Sequence, residues 1–105
     1  MSPVVYLASP MTVYYTPLYE ERRGQVAVLF PGAELICPPD GPLYPSPRVF
    51  RATYRQHLER CTDLVAFSPG RVARGMAEEV RYAHLIGKRV WWLASDGNLE
   101  RWGGV

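Results

Sequence analysis

Asp63-Leu64-Val65-Ala66-Phe67-Ser68-Pro69-Gly70-Arg71-Val72-Ala73-Arg74-Gly75-Met76-Ala77-Glu78-Glu79-Val80-Arg81-Tyr82-Ala83-His84-Leu85-Ile86 changes its hydrophobic period once, and that change decides the fold. Asp63 to Phe67 is a short apolar run suited to a strand covered on both faces, as in a parallel sheet. Ser68 to Arg74 is a glycine-bearing loop, and Gly75 to Ile86 reads as a helix. At roughly 100° per residue, Met76, Val80 and Ala83 share the face that packs on a sheet. Glu79 falls inside that apolar arc, roughly 60° from Met76, while Glu78 points to the opposite, solvated side. A carboxylate on a buried face is costly unless something pairs with it or uses it. Gly87 caps the helix, with Lys88 and Arg89 just beyond, and Val90 to Ala94 is the next strand.

Strand and helix also alternate towards the N-terminus, without an internal sequence repeat. Pro3 to Ala8 is an apolar strand closed by Ser9-Pro10, followed by a polar, aromatic loop to Thr16. Thr16-Pro17 reads as N-cap and first helical residue, with Glu20 and Glu21 in the first turn, and that helix is expected to end near Phe30 before Pro31-Gly32. Ala33 to Cys37 is a second strand. Five prolines lie between Pro38 and Pro47, but Leu43 and Tyr44 among them favour an ordered loop over a site rather than a linker. Arg48 to Arg60 is a helix, with Val49, Ala52, His57 and Leu58 expected inward. Asp96-Gly97-Asn98 turns into a short tail.

Strands alternating with helices, joined by right-handed crossovers, give an α/β fold. The expectation is a flavodoxin-like doubly wound parallel sheet of four or five strands with helices on both faces, formed by residues 1–105 as one domain. Ligands of such sheets bind outside the carboxyl ends of the strands, where the strand order switches direction. All four unusual loops lie at that edge: Ser9 to Thr16, Pro38 to Pro47, Ser68 to Arg74, and Ser95 to Asn98.

Composition sets further bounds. The chain has 105 residues, of which 48% are apolar and 21% charged, the profile of an ordinary globular domain. A net charge of +2 does not by itself argue for nucleic acid, and the arginines are scattered over several elements, so no nucleic-acid partner is expected. Cys37 and Cys61 lack metal-ligand spacing and read as free buried thiols in a reducing compartment. His57 and His84 have no Cys or carboxylate at metal spacing, so no metal and no cofactor is expected. No signal peptide and no membrane span is visible, which points to a cytoplasmic protein.

Three blocks carry a family resemblance. Tyr6-Leu7-Ala8-Ser9-Pro10-Met11-Thr12 resembles a "Y-(I/L)-(A/S)-G-P-M-T" opening. Leu29 to Pro39 is similar to an "L-x-x-x-G-x-x-V-x-x-P" second strand. Cys61-Thr62-Asp63 with Ser68-Pro69-Gly70, Gly75-Met76-Ala77, Glu79, Ala83 and Gly87-Lys88 resembles a "C-D-x-x-x-x-x-P-G-x-x-x-S-x-G-A-x-x-E-x-x-x-A-x-x-x-G-K" core. These patterns belong to a small phage and bacterial family, often left as a domain of unknown function, within the nucleoside 2-deoxyribosyltransferase-like superfamily. The resemblance implies a flavodoxin-like sheet, a homodimer or larger assembly, and cleavage or exchange of the N-glycosidic bond of a nucleoside or nucleotide. It makes Glu79 the nucleophile and sets Tyr6 close to it. Ser9 stands where the family usually has Gly, Ala73 where many members have Ser, and Arg81 where the transferases have Gly. The aspartate those enzymes carry shortly after the third strand is absent, with Ser68 nearby.

Breaking an N-glycosidic bond passes through an oxocarbenium-like transition state, which a carboxylate below the anomeric carbon can stabilise or trap. Beside Glu79 and Tyr6, the expected contacts are Ser9, Met11 and Thr12 on the sugar or base side and Asp40 on the base. The amides from Gly70 to Gly75, with Arg71 or Arg74, would meet a 5′-phosphate at the helix start, with Ser68 alongside. Asn98 lies where the superfamily's dimer partner contributes a polar group. The alternative is a nucleotide-binding or sequestering module without efficient chemistry.

Overall fold

The computed structural model describes residues 2–42 and 44–103, so Leu43, expected within the ordered loop, lies outside the described residues. The elements are β1 (Val4–Ala8), α1 (Pro17–Leu29), β2 (Glu34–Ile36), α2 (Pro47–Arg60), β3 (Asp63–Ala66), α3 (Arg74–Leu85), β4 (Arg89–Leu93) and β5 (Leu99–Arg101). Single 3-10 turns at Met11–Val13 and Pro38–Asp40 follow β1 and β2. The sheet order is β2-β1-β3-β4-β5, the flavodoxin-like arrangement.

Local chemistry sets the helix starts. Thr16 accepts a hydrogen bond from the Tyr19 amide (3.3 Å) ahead of Pro17, and Ser46 does the same for Val49 (3.3 Å) ahead of Pro47. Each cap satisfies an orphan amide and contributes about 1 kcal/mol. Because Ser46 is the cap, α2 starts at Pro47, one residue before Arg48. Gly87 ends α3 with φ +77°, a backbone that favours glycine.

Two apolar layers flank the sheet. On one side α1 covers Val5, Leu7, Val65, Phe67 and Leu93 through Tyr19 and Val26. On the other, α2 and α3 cover Tyr6, Ala8, Leu64, Ala66 and Val90 through Tyr54, Leu58, Met76, Val80 and Ala83. The inward face of α2 is therefore Phe50, Tyr54 and Leu58. Val49 and Ala52, expected inward, are exposed and His57 is half-buried, because the larger Phe50, Tyr54 and Leu58 side chains at i, i+4 and i+8 take the sheet-facing arc.

The sheet is not wholly parallel. β1, β2, β3 and β4 pair in parallel, but the expected tail forms β5, antiparallel to β4. Trp91 and Trp92 face opposite sides, as adjacent strand residues must. Arg101 lies over the Trp91 ring at 5.0 Å and Trp102 packs edge-on against Trp92 at 5.3 Å, so both faces of the last strand are closed within the chain. Cys37 and Cys61 are both free and buried. Among the described residues no helix is long and apolar enough to cross a membrane.

Candidate active site

Tyr6 and Glu79 meet under the carboxyl edge of the sheet, at the switch point where β1 is flanked by β2 on one side and β3 on the other. β1 aims Tyr6 at the α2/α3 layer, and the helical period of α3 aims Glu79 back at the sheet. The Tyr6 hydroxyl donates a hydrogen bond to the Glu79 carboxylate. Glu79 is only 4% exposed, and among the described residues it forms no ion pair. The partner is thus a phenol from β1, and neither Arg74 nor Arg81 on its own helix pairs with it.

Burial pushes the Glu79 carboxyl up to about 8; the Tyr6 hydrogen bond pulls against this and the neighbouring Glu78 charge adds to it. The helix dipole does little here, since Glu79 is the sixth residue of α3 and the dipole's influence fades within the first turn. Burial first, and then Glu79, hold the Tyr6 phenol above the usual tyrosine range.

Two further tyrosines feel the charge of Glu79, Tyr14 from the α1 side, where it packs edge-on against Tyr19 at 5.8 Å. Tyr14 follows the 3-10 turn after β1, and Tyr44 sits in the proline-rich loop against Phe50 at 5.1 Å. Burial, and then the charge of Glu79, raise both phenols. Tyr14 turns inward because Tyr15 takes a left-handed backbone (φ 63°) and swings its own ring to solvent, which lets Thr16 close the loop onto the Val13 carbonyl at 2.6 Å. Neither tyrosine was expected as a site residue, although Tyr44 had favoured an ordered loop over a site. Loop residues have no period to expose them, and the only available signal was the run of aromatics beside predicted strand ends.

A cleft of about 420 Å³ opens between the loop after β2 and α2; Tyr6 and Glu79 do not line it, and His57 is the wall residue that stands next to Tyr6. Its walls are largely apolar, with Tyr44, Thr53 and His57 among its polar groups. The His57 ring lies 6.2 Å from that of Tyr6, and burial, with Arg60, keeps the imidazole below its usual pKa. No group of three or more His, Cys, Asp or Glu side chains that could hold a metal occurs among the described residues.

The other expected site residues divide by position. Ser9 is buried at the end of β1, whereas Met11 and Thr12 are exposed on the turn beyond it. Asp40 lines the cleft, but both its oxygens accept from Arg23 (3.1 and 3.2 Å). Ser68 is turned onto its own loop, accepting from the Gly70 amide (3.3 Å) and donating to the Arg71 carbonyl (2.9 Å). Arg74 is the first residue of α3 and is exposed; the N-cap Ala73 offers no side-chain cap. Gly75 lets Phe50 approach, since a Cβ there would lie 3.3 Å from its ring. Asn98 is exposed at the β4–β5 turn and bonds to Asp96 through its amide N–H (3.0 Å) and side chain (2.8 Å), on the far side of β4 from the Tyr6–Glu79 pair.

Three solved structures are similar to this chain. A conserved protein from Enterococcus faecalis V583 superposes with a TM-score of 0.77 at 20% identity, covering 91% of this chain and 65% of that one. A 2-desoxiribosyltransferase from Leishmania mexicana gives 0.62 at 23% identity, over 88% and 65%. The Clostridium botulinum CMP N-glycosidase BcmB gives 0.60 at 19% identity, over 85% and 69%. The chain therefore spans 65% of the length of the first two, and at these identities the likeness establishes the fold. No protein-family model matches the chain, and no curated sequence does.

Proposed function

We propose that the protein cleaves the N-glycosidic bond of a nucleoside or nucleoside 5′-monophosphate, with Glu79 as the nucleophilic carboxylate and hydrolysis favoured over base exchange. The observation that carries the reading is the Tyr6–Glu79 pair: a buried carboxylate with a single phenolic donor and no cation, at the switch point of a doubly wound sheet. The likeness to a 2-desoxiribosyltransferase and a CMP N-glycosidase supports the same chemistry. In the proposed reaction the ionised Glu79 oxygen bonds to the anomeric carbon as the C–N bond breaks. The base leaves with the bonding electrons and takes up a proton, and water then hydrolyses the glycosyl ester. Tyr6 holds the carboxylate in place and lowers its pKa towards ionisation. The cleft under the loop after β2, which His57 separates from Tyr6, is of a size for the base.

Ser9 closes the sugar side, with Met11 and Thr12 on the turn above it. Arg74 and the uncapped first turn of α3 receive a 5′-phosphate. The Gly70 amide contributes less, because Ser68 already occupies it. A homodimer would bring a partner's Asn98 to the opening.

The test is incubation with a panel of ribo- and deoxyribonucleosides and their monophosphates. Free base is read by mass spectrometry, together with a sugar adduct on Glu79. Base release by the wild type, lost in a folded Glu79→Gln, is the expected result. One observation favours a second reading, a binding module: the Glu79 carboxyl, pushed up to about 8, is mostly protonated at neutral pH before any ligand arrives. No turnover across the panel, with a nucleotide raising the Tm equally in wild type and Glu79→Gln, would establish that reading and refute catalysis.

A further inference from the structure

α2 and α3 each follow a parallel strand, so they run side by side in the same direction from the carboxyl edge of the sheet. Arg48, Arg51 and Arg55 recur at i, i+3 and i+7 on α2, and Arg74 and Arg81 at i and i+7 on α3, so each set shares one face of its helix. All five are exposed. A groove of about 400 Å³ separates the two helices, with Arg51, Arg55 and Arg81 on its walls. The Arg55 guanidinium lies 5.2 Å over the Tyr82 ring, whose hydroxyl donates to Glu59 at 2.8 Å.

Arg23, Arg60 and Arg89 pair with carboxylates, whereas Arg48, Arg51, Arg74 and Arg81, like Arg71 on the loop before α3, form no ion pair among the described residues. Glu78 is the one acidic side chain lining the groove, and Arg74 and Arg81 flank it at i−4 and i+3. Arginines scattered along the sequence are thus gathered by the packing of two helices into a basic track. Arg48 and Arg74 stand in the first turns of the two helices, at the carboxyl edge of the sheet.

We propose that this track binds the phosphodiester backbone of a single-stranded nucleic acid and delivers a nucleotide within that strand to the Tyr6–Glu79 pair. Charge complementarity selects a polyanion, and guanidinium forks suit phosphate oxygens. The choice of nucleic acid over an acidic protein rests on the nucleoside reading of the site. A single strand is favoured over a duplex because a buried carboxylate reaches the anomeric carbon only of an unstacked nucleotide.

The test is fluorescence anisotropy of a labelled oligothymidylate and oligouridylate titrated with the whole chain. Five arginine–phosphate contacts, at about 0.7 per contact for a single strand, predict a log–log salt slope of about −3.5, a roughly 100-fold loss of affinity between about 50 and about 200 mM salt. Combined Arg51→Ala, Arg55→Ala and Arg81→Ala should flatten that slope by about 2 and weaken low-salt binding by about ten-fold or more. Arg60→Ala, whose guanidinium is committed to Glu34 at 2.6 Å, should bind as the wild type does. Binding is read without turnover, so failure of the glycosidase reading would leave this result standing. Absence of binding at low salt, or equal binding by the triple variant, overturns the proposal. So does sedimentation showing a dimer without oligonucleotide that the triple variant dissolves, which would assign the face to a second copy.

Discussion

Replacing Glu79 by Gln should stabilise the protein, and by an amount that grows with pH. In the unfolded chain this carboxyl titrates near 4.5, whereas burial holds it at about 8 in the folded state. Between those values the folded protein keeps a proton that the unfolded chain has released, so stability falls as pH rises through that window and levels off above it. The gap is about 3.5 pH units, which at about 1.36 kcal/mol per unit gives a ceiling of about 5 kcal/mol above pH 8. Gln keeps the shape, does not titrate, and can still accept from the Tyr6 hydroxyl. All other groups titrate alike in both proteins and cancel in the difference. Urea unfolding of wild type and Glu79→Gln at pH 5, 6, 7 and 8 should show near-equality at the acid end. The advantage of the variant should then open at up to about 1.4 kcal/mol per pH unit, several degrees in Tm for a domain of this size. A difference that stays constant with pH, or a variant less stable than wild type at pH 8, would refute the account of Glu79 as a buried carboxyl without a counter-ion.

The same protonation should appear in catalysis: kcat/KM for base release should rise with pH with unit slope and level off near 8, and a flat profile from pH 6 to 8 would remove Glu79 ionisation from the rate. Tyr6→Phe deletes the one donor to Glu79, so the rising limb should move to higher pH, and the carboxyl left unpaired should lower stability at pH 6 by about 1–3 kcal/mol in urea titrations. Asp63→Ala strips the partner from the Trp91 indole N–H (2.8 Å) and from Arg89 (3.0 Å twice), and should cost about 3 kcal/mol at pH 7. Because Asp63 is held below the usual carboxylate range when folded, that cost should shrink as pH falls below 4, opposite in sign to the Glu79 effect.

Most of the strand and helix order was legible because local chemistry punctuates it. Thr16-Pro17 opens α1 and Gly87 closes α3 at the expected places, and the apolar period of α3 put Glu79 on the sheet side. What failed depends on contacts distant in sequence. Leu99-Glu100-Arg101 is too short and charged to announce a strand; it pairs because Trp91 and Trp92 supply a partner for each face. Val49 and Ala52 fit an apolar pattern, but Phe50, Tyr54 and Leu58 bury more surface and won the inward arc. Tyr14 and Tyr44 lie in loops, where no period marks direction. The basic track was hidden because it is assembled from two helices separated in the chain by β3 and its following loop.

Two buried carboxylates in one sheet show what sets Glu79 apart. Asp63 is 1% exposed and Glu79 4%, so water deserts both nearly equally. Burial pushes Asp63 up, but donors from Thr62, Trp91 and Arg89 outweigh it and leave an ordinary anion. Glu79 receives one phenol and no cation, and burial wins. A group whose only task was to hold the fold would be served by an arginine, and α3 carries two, but both Arg74 and Arg81 face solvent and stay unpaired. In the proposed reaction the stability that Glu79 costs would be recovered when a positive charge arrives beside it. An oxocarbenium-like sugar at the anomeric carbon is such a charge, present in the transition state and absent from the ground state, where stabilisation raises a rate rather than merely tightening binding.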